Sequence, residues 1–193
     1  MGMTYTAIIL AGGKSSRMGS DKGLLLLKGR PMIDYLLTIF AVLKIKVIIV
    51  ANNSGYERFN VPVFKDVIEG KGPLVGIYTG LLQVKTEKNI IVSCDVPCVS
   101  KEMIETLIDN SGDEKITVVA YKDKIHPLIG IYSKSIAEKI LEKIESEQLK
   151  VRLLIDEVDS KVIQLEDYQL VGIENQLMNI NTKEELKWIE DGK

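Results

Sequence analysis

An apolar run that stops at paired glycines and then meets a cluster of cations constrains this chain more than any other stretch. Residues 5–22 read Tyr-Thr-Ala-Ile-Ile-Leu-Ala-Gly-Gly-Lys-Ser-Ser-Arg-Met-Gly-Ser-Asp-Lys. Ala7 to Leu10 suit a buried strand, and Gly12 and Gly13 end it abruptly. Lys14, Arg17 and Lys22 follow within nine positions. Side chains as small as Gly and Ser let a phosphate approach backbone N–H groups, and the cations supply the opposing charge. A nucleoside triphosphate held at a strand end needs such an arrangement. The plainer alternative is a tight strand-to-helix turn with a solvated basic surface.

Two familiar phosphate loops are excluded. Gly13-Lys14-Ser15 resembles the end of a Walker A motif, but the residue five positions before Gly13 is Ile8 rather than glycine. The dinucleotide fingerprint G-x-G-x-x-G is absent, because Gly12 is followed by Gly13 and Lys14.

Beyond the loop, short apolar runs alternate with stretches of helical period. Strands are expected over residues 6–10, 46–51, 61–64, 89–94, 116–121, 128–132 and 161–165. Helices are expected over 32–43, 74–84, 101–110, 134–145, 149–158 and 183–190. The early strands are apolar throughout, as in a parallel sheet covered on both faces. The alternation predicts a doubly wound, three-layer Rossmann-like α/β sandwich with a mostly parallel sheet. Residues 122–125 are too few for a crossover helix, so the runs on either side should be antiparallel or leave the sheet. The length of 193 residues suits one domain, with a nucleotide-binding half over about 1–100 and an acceptor-binding half over about 101–193.

Composition narrows the function. The net charge is −2, with 25 basic and 27 acidic side chains, so nucleic-acid binding through bulk charge is not expected. No apolar stretch approaches the length of a membrane span, and a cytoplasmic protein without membrane attachment is expected. Cys94 and Cys98 lack a second pair, and the single histidine does not complete a zinc site. They read as two free, partly buried thiols in a reducing compartment.

Ligands of open α/β sheets bind beyond the carboxyl ends of the strands. The first strand ends at the glycine loop, the strand over 61–64 at Lys65-Asp66, and the strand over 89–94 at Asp95. An acid directly after an apolar strand is costly without a partner, and Mg²⁺ prefers one or two carboxylates plus phosphate oxygens. Asp95 is therefore read as a Mg²⁺ ligand, against the alternative of a turn aspartate before Pro97. Asp66 either accepts hydrogen bonds from a ribose or base, or caps the turn near Gly70 and Gly72. Lys22 reaches a phosphate or lies solvated, and Pro73 marks a helix start. His126 precedes Pro127 and reads as a structural histidine rather than a base. No nucleophile-and-base pair is apparent. That suits a reaction whose attacking group is an already ionised phosphate, so that catalysis is positioning plus charge neutralisation.

Leu10-Ala11-Gly12-Gly13, Ser16-Arg17-Met18-Gly19 and Asp21-Lys22 resemble the molybdenum cofactor guanylyltransferases of the nucleotidyltransferase superfamily. Gly29-Arg30-Pro31, Gly72-Pro73-Leu74-Val75-Gly76, Cys94-Asp95-Val96-Pro97, His126-Pro127-Leu128 and Asn179-Ile180-Asn181-Thr182 follow in the family's order, and the resemblance runs from Ala7 to about Trp188. It implies the fold of nucleotide-diphospho-sugar transferases and a Mg²⁺-dependent reaction. The terminal phosphate of molybdopterin would attack the α-phosphate of GTP, releasing pyrophosphate and forming a guanine dinucleotide. By the same resemblance, Leu10, Ala11, Gly12 and Gly13 hold the nucleotide, and Lys22 and Arg17 serve its phosphates. Asp66 contacts the nucleotide, Asp95 binds Mg²⁺ and triphosphate, and Asn179 and Asn181 line the acceptor side. Val50 stands where some members carry a polar residue near the nucleotide, and Asn52 compensates. Lys183 replaces a frequent proline, and the basic segment expected to meet the pterin is reduced to Lys150 and Arg152. A monomer is expected, with transient contact to molybdenum cofactor insertion proteins. The rival readings are a sister enzyme using CTP or acting on a sugar phosphate, and a non-catalytic nucleotide-binding adaptor, since the loop reads phosphates rather than bases.

Overall fold

In a computed structural model, residues 4–12 and 21–190 are described. Tyr5–Leu10 forms the first strand, β1, and successive side chains of this run enter opposite cores. Ala7 and Ile9 join one apolar cluster, while Ile8 and Leu10 join the other. A strand buried on both faces explains why its sequence is apolar throughout rather than alternating.

Leu26–Leu27 (β2) and Arg30–Pro31 (β3) then pair as a small separate hairpin, turned at Lys28 and Gly29, both with positive φ. Met32–Val42 is α1, Lys46–Val50 is β4, Val63–Phe64 is β5, Pro73–Gln83 is α2 and Lys88–Ser93 is β6. They are followed by Lys101–Asp109 (α3), Ile116–Tyr121 (β7), Lys124–Ser133 (β8), Ala137–Glu145 (α4) and Val151–Glu157 (α5). Ser160–Gln164 (β9), Ile173–Gln176 (α6) and Lys183–Glu190 (α7) complete the described chain.

Seven strands form one sheet in the order β5-β4-β1-β6-β8-β7-β9. β5, β4, β1 and β6 are parallel neighbours, β8 is antiparallel to both β6 and β7, and β9 returns parallel to β7. Apolar residues of α1 and α3 share the cluster on one face, and those of α2, α4 and α5 share the cluster on the other. This is the three-layer, mostly parallel sandwich expected from the β-α alternation. Helix α2 lies so close to the sheet that a Cβ on Gly80 would sit 2.4 Å from Ile8 Cγ2. A side chain there would push the helix, and with it the loop before Pro73, away from the end of β1.

The largest departure from the expected elements is β8. Its apolar part, 128–132, is only the second half of a ten-residue strand. The first half turns tightly on β7 through Lys122 and Asp123, both left-handed, so the antiparallel connection takes only two residues. The register with β7 breaks between Val118 and Val119, whose partners are Gly130 and His126. Pro127, which has no N–H to give a ladder, falls inside the skipped stretch. The strand expected over 61–64 shortens to Val63–Phe64 at the sheet edge.

Candidate active site

The carboxyl ends of β1, β4, β5 and β6 open on one cavity of about 800 Å³. Among the residues singled out by sequence, Leu10, Gly12, Asn52, Asp66 and Asp95 line it. Ala11 is buried behind them and donates its N–H to the Val50 carbonyl, 2.9 Å away, prolonging the β1–β4 pairing. The expectations placed on Gly13 and Arg17 lie outside the described residues.

Asp66 is fixed by a reciprocal pair. Asn52 Nδ2 donates to Asp66 Oδ2 and the Asp66 backbone N–H donates to Asn52 Oδ1, each at 3.0 Å. The next peptide is tied to α2, where the Val67 N–H donates to Thr79 Oγ1 at 3.1 Å. The other carboxylate oxygen, Oδ1, is buried and has no hydrogen-bond partner among the described residues. Burial raises the carboxyl's pKa, and the hydrogen bond from Asn52 only partly counters it. A buried acceptor left unmatched costs about 1–3 kcal/mol, so this oxygen is suited to a donor that arrives with a ligand.

Asp95 follows β6 and occupies the junction of the site. The Cys94 N–H donates to the Leu10 carbonyl at 2.9 Å, which holds the start of this turn against β1. The Asp95 carbonyl accepts the Ile180 N–H at 2.8 Å, which docks the segment before α7 on the same edge. The Lys22 ammonium lies 3.9 Å from Asp95 Oδ2 and donates to Asn181 Oδ1 at 2.5 Å. Asp95, Gly12 and Lys22 thus share one edge, although 73 positions separate Lys22 from Asp95.

The base of Lys22 is anchored by a residue that sequence reasoning passed over. Tyr56 is fully buried and its hydroxyl donates to Asp21 Oδ1. Burial drives the Tyr56 hydroxyl far above its ordinary pKa, so it remains a donor. The backbone packs tightly on this ring: a Cβ on Gly23 would stand 2.6 Å from the Tyr56 hydroxyl and 3.2 Å from Cys94 Cβ. Cys94 and Cys98 are both free, and burial raises the pKa of each thiol. They serve as packing groups, as their spacing suggested.

Across Asp95 the edge continues into two further cavities. One of about 200 Å³ is lined by Ser93, Asp95, Lys124, His126 and Asn179 among others. The next, of about 590 Å³, includes Lys122, Lys124, His126, Asn179, Asn181 and Trp188 in its lining. Shared walls join all three, with Asp95 common to the first two and Asn179 common to the last two. His126 is half-buried in the first half of β8; burial, reinforced by Lys124, lowers its pKa and keeps the ring neutral at pH 7. It was expected to be structural, but it lines both smaller cavities. The Lys122 ammonium is paired with Glu174 at the far rim. Asn181 is held through its backbone: its N–H and that of Thr182 donate to Glu185 Oε2 at 2.6 and 2.9 Å, while the Glu185 N–H donates to Thr182 Oγ1 at 3.1 Å. This is a capping box at the start of α7.

Lys150 and Arg152 correct one expectation. They sit at the start of α5, whose buried residues face the second core cluster, and Arg152 donates to Asp156 at 2.9 Å. Neither lines the three cavities, and the lysines that do are Lys122 and Lys124. No group of three or more His, Cys, Asp or Glu side chains is placed to hold a metal among the described residues. Asp95 instead offers one carboxylate facing a cavity large enough for phosphates, the donor set that Mg²⁺ accepts. No helix among the described residues is long and apolar enough to cross a membrane.

The family described as "MobA-like NTP transferase domain" matches residues 7–161. A Flavobacterium johnsoniae protein named probable molybdenum cofactor guanylyltransferase is 39% identical over 184 residues, covering 95% of each chain. A protein of the same name from Carboxydothermus hydrogenoformans is 40% identical over 178 residues, covering 92% of this chain and 90% of its own. The crystal structure of molybdopterin-guanine dinucleotide biosynthesis protein A from Archaeoglobus fulgidus superposes with a TM-score of 0.82 at 21% identity, over 96% of this chain and 97% of that one. This last likeness bears on the fold.

Proposed function

We propose, from the premise that this chain belongs to the MobA-like NTP transferase family, that it transfers GMP from GTP to the terminal phosphate of molybdopterin. An acceptor phosphate oxygen bonds to the α-phosphorus of GTP, the bond from that phosphorus to the bridging oxygen breaks, and pyrophosphate leaves with the electron pair. The 800 Å³ cavity takes the donor and the 590 Å³ cavity takes the acceptor, so the reacting phosphates meet beside Asp95. One observation supports this above the others: the Lys22 ammonium links a wall residue of each, 3.9 Å from Asp95 of the first cavity and 2.5 Å from Asn181 of the second.

Each residue then has a physical task. The amides around Leu10 and Gly12 accept close approach of the nucleotide. Asp66 Oδ1 takes a donor from the nucleotide, which relieves its unmatched burial. Lys22 offers fixed positive charge to the phosphates, which stabilises the negative charge growing on the departing pyrophosphate. Asp95 would hold Mg²⁺, which supplies charge neutralisation when bound with the triphosphate. Asn179, Asn181, Lys122, Lys124 and Trp188 receive the acceptor, with Lys124, which shares the small cavity with Asp95, matching its phosphate and the indole its ring system. Arg17 assists at the phosphates by family resemblance. A phosphate nucleophile needs no base from the protein. A cytoplasmic monomer that passes its product to insertion proteins belongs to the same reading.

Pyrophosphate release measured with molybdopterin, Mg²⁺ and each nucleotide in turn tests the assignment. Turnover with GTP and little with CTP is expected. Turnover with CTP but not GTP would overturn the choice of guanine while leaving the reaction type intact.

A further inference from the structure

We infer that Asn181, a residue of the acceptor side, is a positioning residue for the donor: it holds Lys22 where the nucleotide's phosphates bind. This rests on the nucleotidyltransferase reading, but concerns which residues set donor affinity rather than which base is chosen.

An ammonium carries three N–H donors on a flexible four-carbon stem, and holding that stem in one place costs side-chain entropy. Lys22 leaves a short helical turn whose root is fixed by the Tyr56–Asp21 hydrogen bond, yet its tip is fixed by Asn181 and Asp95. The Asn181 bond, at 2.5 Å, is the shorter of the two contacts. With one N–H on the amide and Asp95 3.9 Å away, the ammonium sits beside the cavity that Asp95 lines.

Asn181 is well placed to act as the fixed end. Its main chain is clamped by Glu185, and its neighbour Ile180 is bonded to the Asp95 backbone. Lysine can only donate, so Oδ1 must face it, and Nδ2 is directed elsewhere, 3.4 Å from the Asn179 carbonyl. The same amide therefore touches the donor-binding cation through one atom and borders the acceptor cavity. Any acceptor group that draws on Asn181 must change the hold on Lys22, and thermodynamic linkage makes the effect reciprocal.

The test is binding of GTP with Mg²⁺, without molybdopterin, to the full chain by calorimetry. Asn181→Leu keeps the side-chain volume and the backbone N–H that Glu185 clamps, so the fold is retained and an unchanged melting temperature verifies it. The expected result is an affinity about tenfold weaker, the size of a charge-assisted hydrogen bond. In a Lys22→Gln background the same substitution should have no further effect. Equal GTP affinity for wild type and Asn181→Leu, or the same added loss in both backgrounds, would overturn the inference. Repeating the titrations with CTP separates the two readings. A wild-type preference for CTP removes the guanylyl assignment, yet the Lys22–Asn181 cycle can still be read on that nucleotide.

Discussion

On one side of Asp95 the cavity is walled by the ends of four parallel strands, and its lining includes four glycines and the three aspartates Asp21, Asp66 and Asp95. On the other side the walls are a hairpin turn, a strand that breaks register with its neighbour midway, and the capped start of the last helix. The first side reuses the geometry common to open parallel sheets, in which every strand end points at the same edge. The second is assembled from pieces about 55 positions apart, Lys124 and Asn179 among them, and carries longer side chains. A scaffold of this kind keeps the phosphate-reading side constant and leaves recognition of the second substrate to elements that pack later in the chain.

If that contrast is right, substitutions should separate into those that stop the chemistry, those that disturb the donor frame and those that affect the acceptor alone. The largest effect is expected for Asp95→Asn, which keeps the turn but removes the charge at the junction. Turnover should fall about a hundredfold to a thousandfold with an unchanged melting curve, measured as pyrophosphate release. Gly23→Ala should come next, because its Cβ would collide with Tyr56 and Cys94. A loss of about 1–3 kcal/mol of stability is expected from such overpacking, measured by denaturant unfolding together with weaker GTP binding. Lys124→Ala should raise the KM for molybdopterin about tenfold, the cost of one charge-assisted contact, while the KM for GTP stays as it was. A matching rise in both constants would erase the distinction between the two sides.

The smallest effect concerns Asp66 and has a defined sign. Its folded-state pKa is raised above the ordinary value, so the folded protein disfavours the ionised carboxylate. That penalty is present at neutral pH and disappears below the unfolded value near 3.8, where both states are protonated. Asp66→Asn should therefore raise the melting temperature at pH 7, with the gain shrinking as the pH falls through the raised pKa, and should weaken GTP binding. Scanning calorimetry at several pH values reads the first effect. A melting temperature lowered at pH 7 would mean that the carboxylate is stabilising, and that Oδ1 is not a site held for ligand.

The contrast also explains what was legible in the residues. Asp95 and Asp66 stood out because each stands at the carboxyl end of an apolar strand, and the sandwich followed from strands apolar on both faces. His126, Lys122 and Lys124 did not. The strand that carries or adjoins them begins four residues before its apolar run, and Pro127 in its middle argues against a continuous strand. The bulge that reconciles them depends on a register break with β7, which no local pattern encodes. Lys150 and Arg152 stood only for the basic segment that the family resemblance led one to expect, and neither lines the cavities. Tyr56 had no signal at all, since its importance lies in meeting Asp21 and Gly23 across the fold.

The most direct test of the account is a structure of this protein with GTP and Mg²⁺ bound. It should place the triphosphate in the cavity shared by Gly12 and Asp95, with a phosphate oxygen within hydrogen-bonding distance of Lys22 Nζ and a nucleotide donor on Asp66 Oδ1. A triphosphate seated on any other face, or one whose phosphates lie beyond the reach of both Lys22 and Asp95, would contradict it.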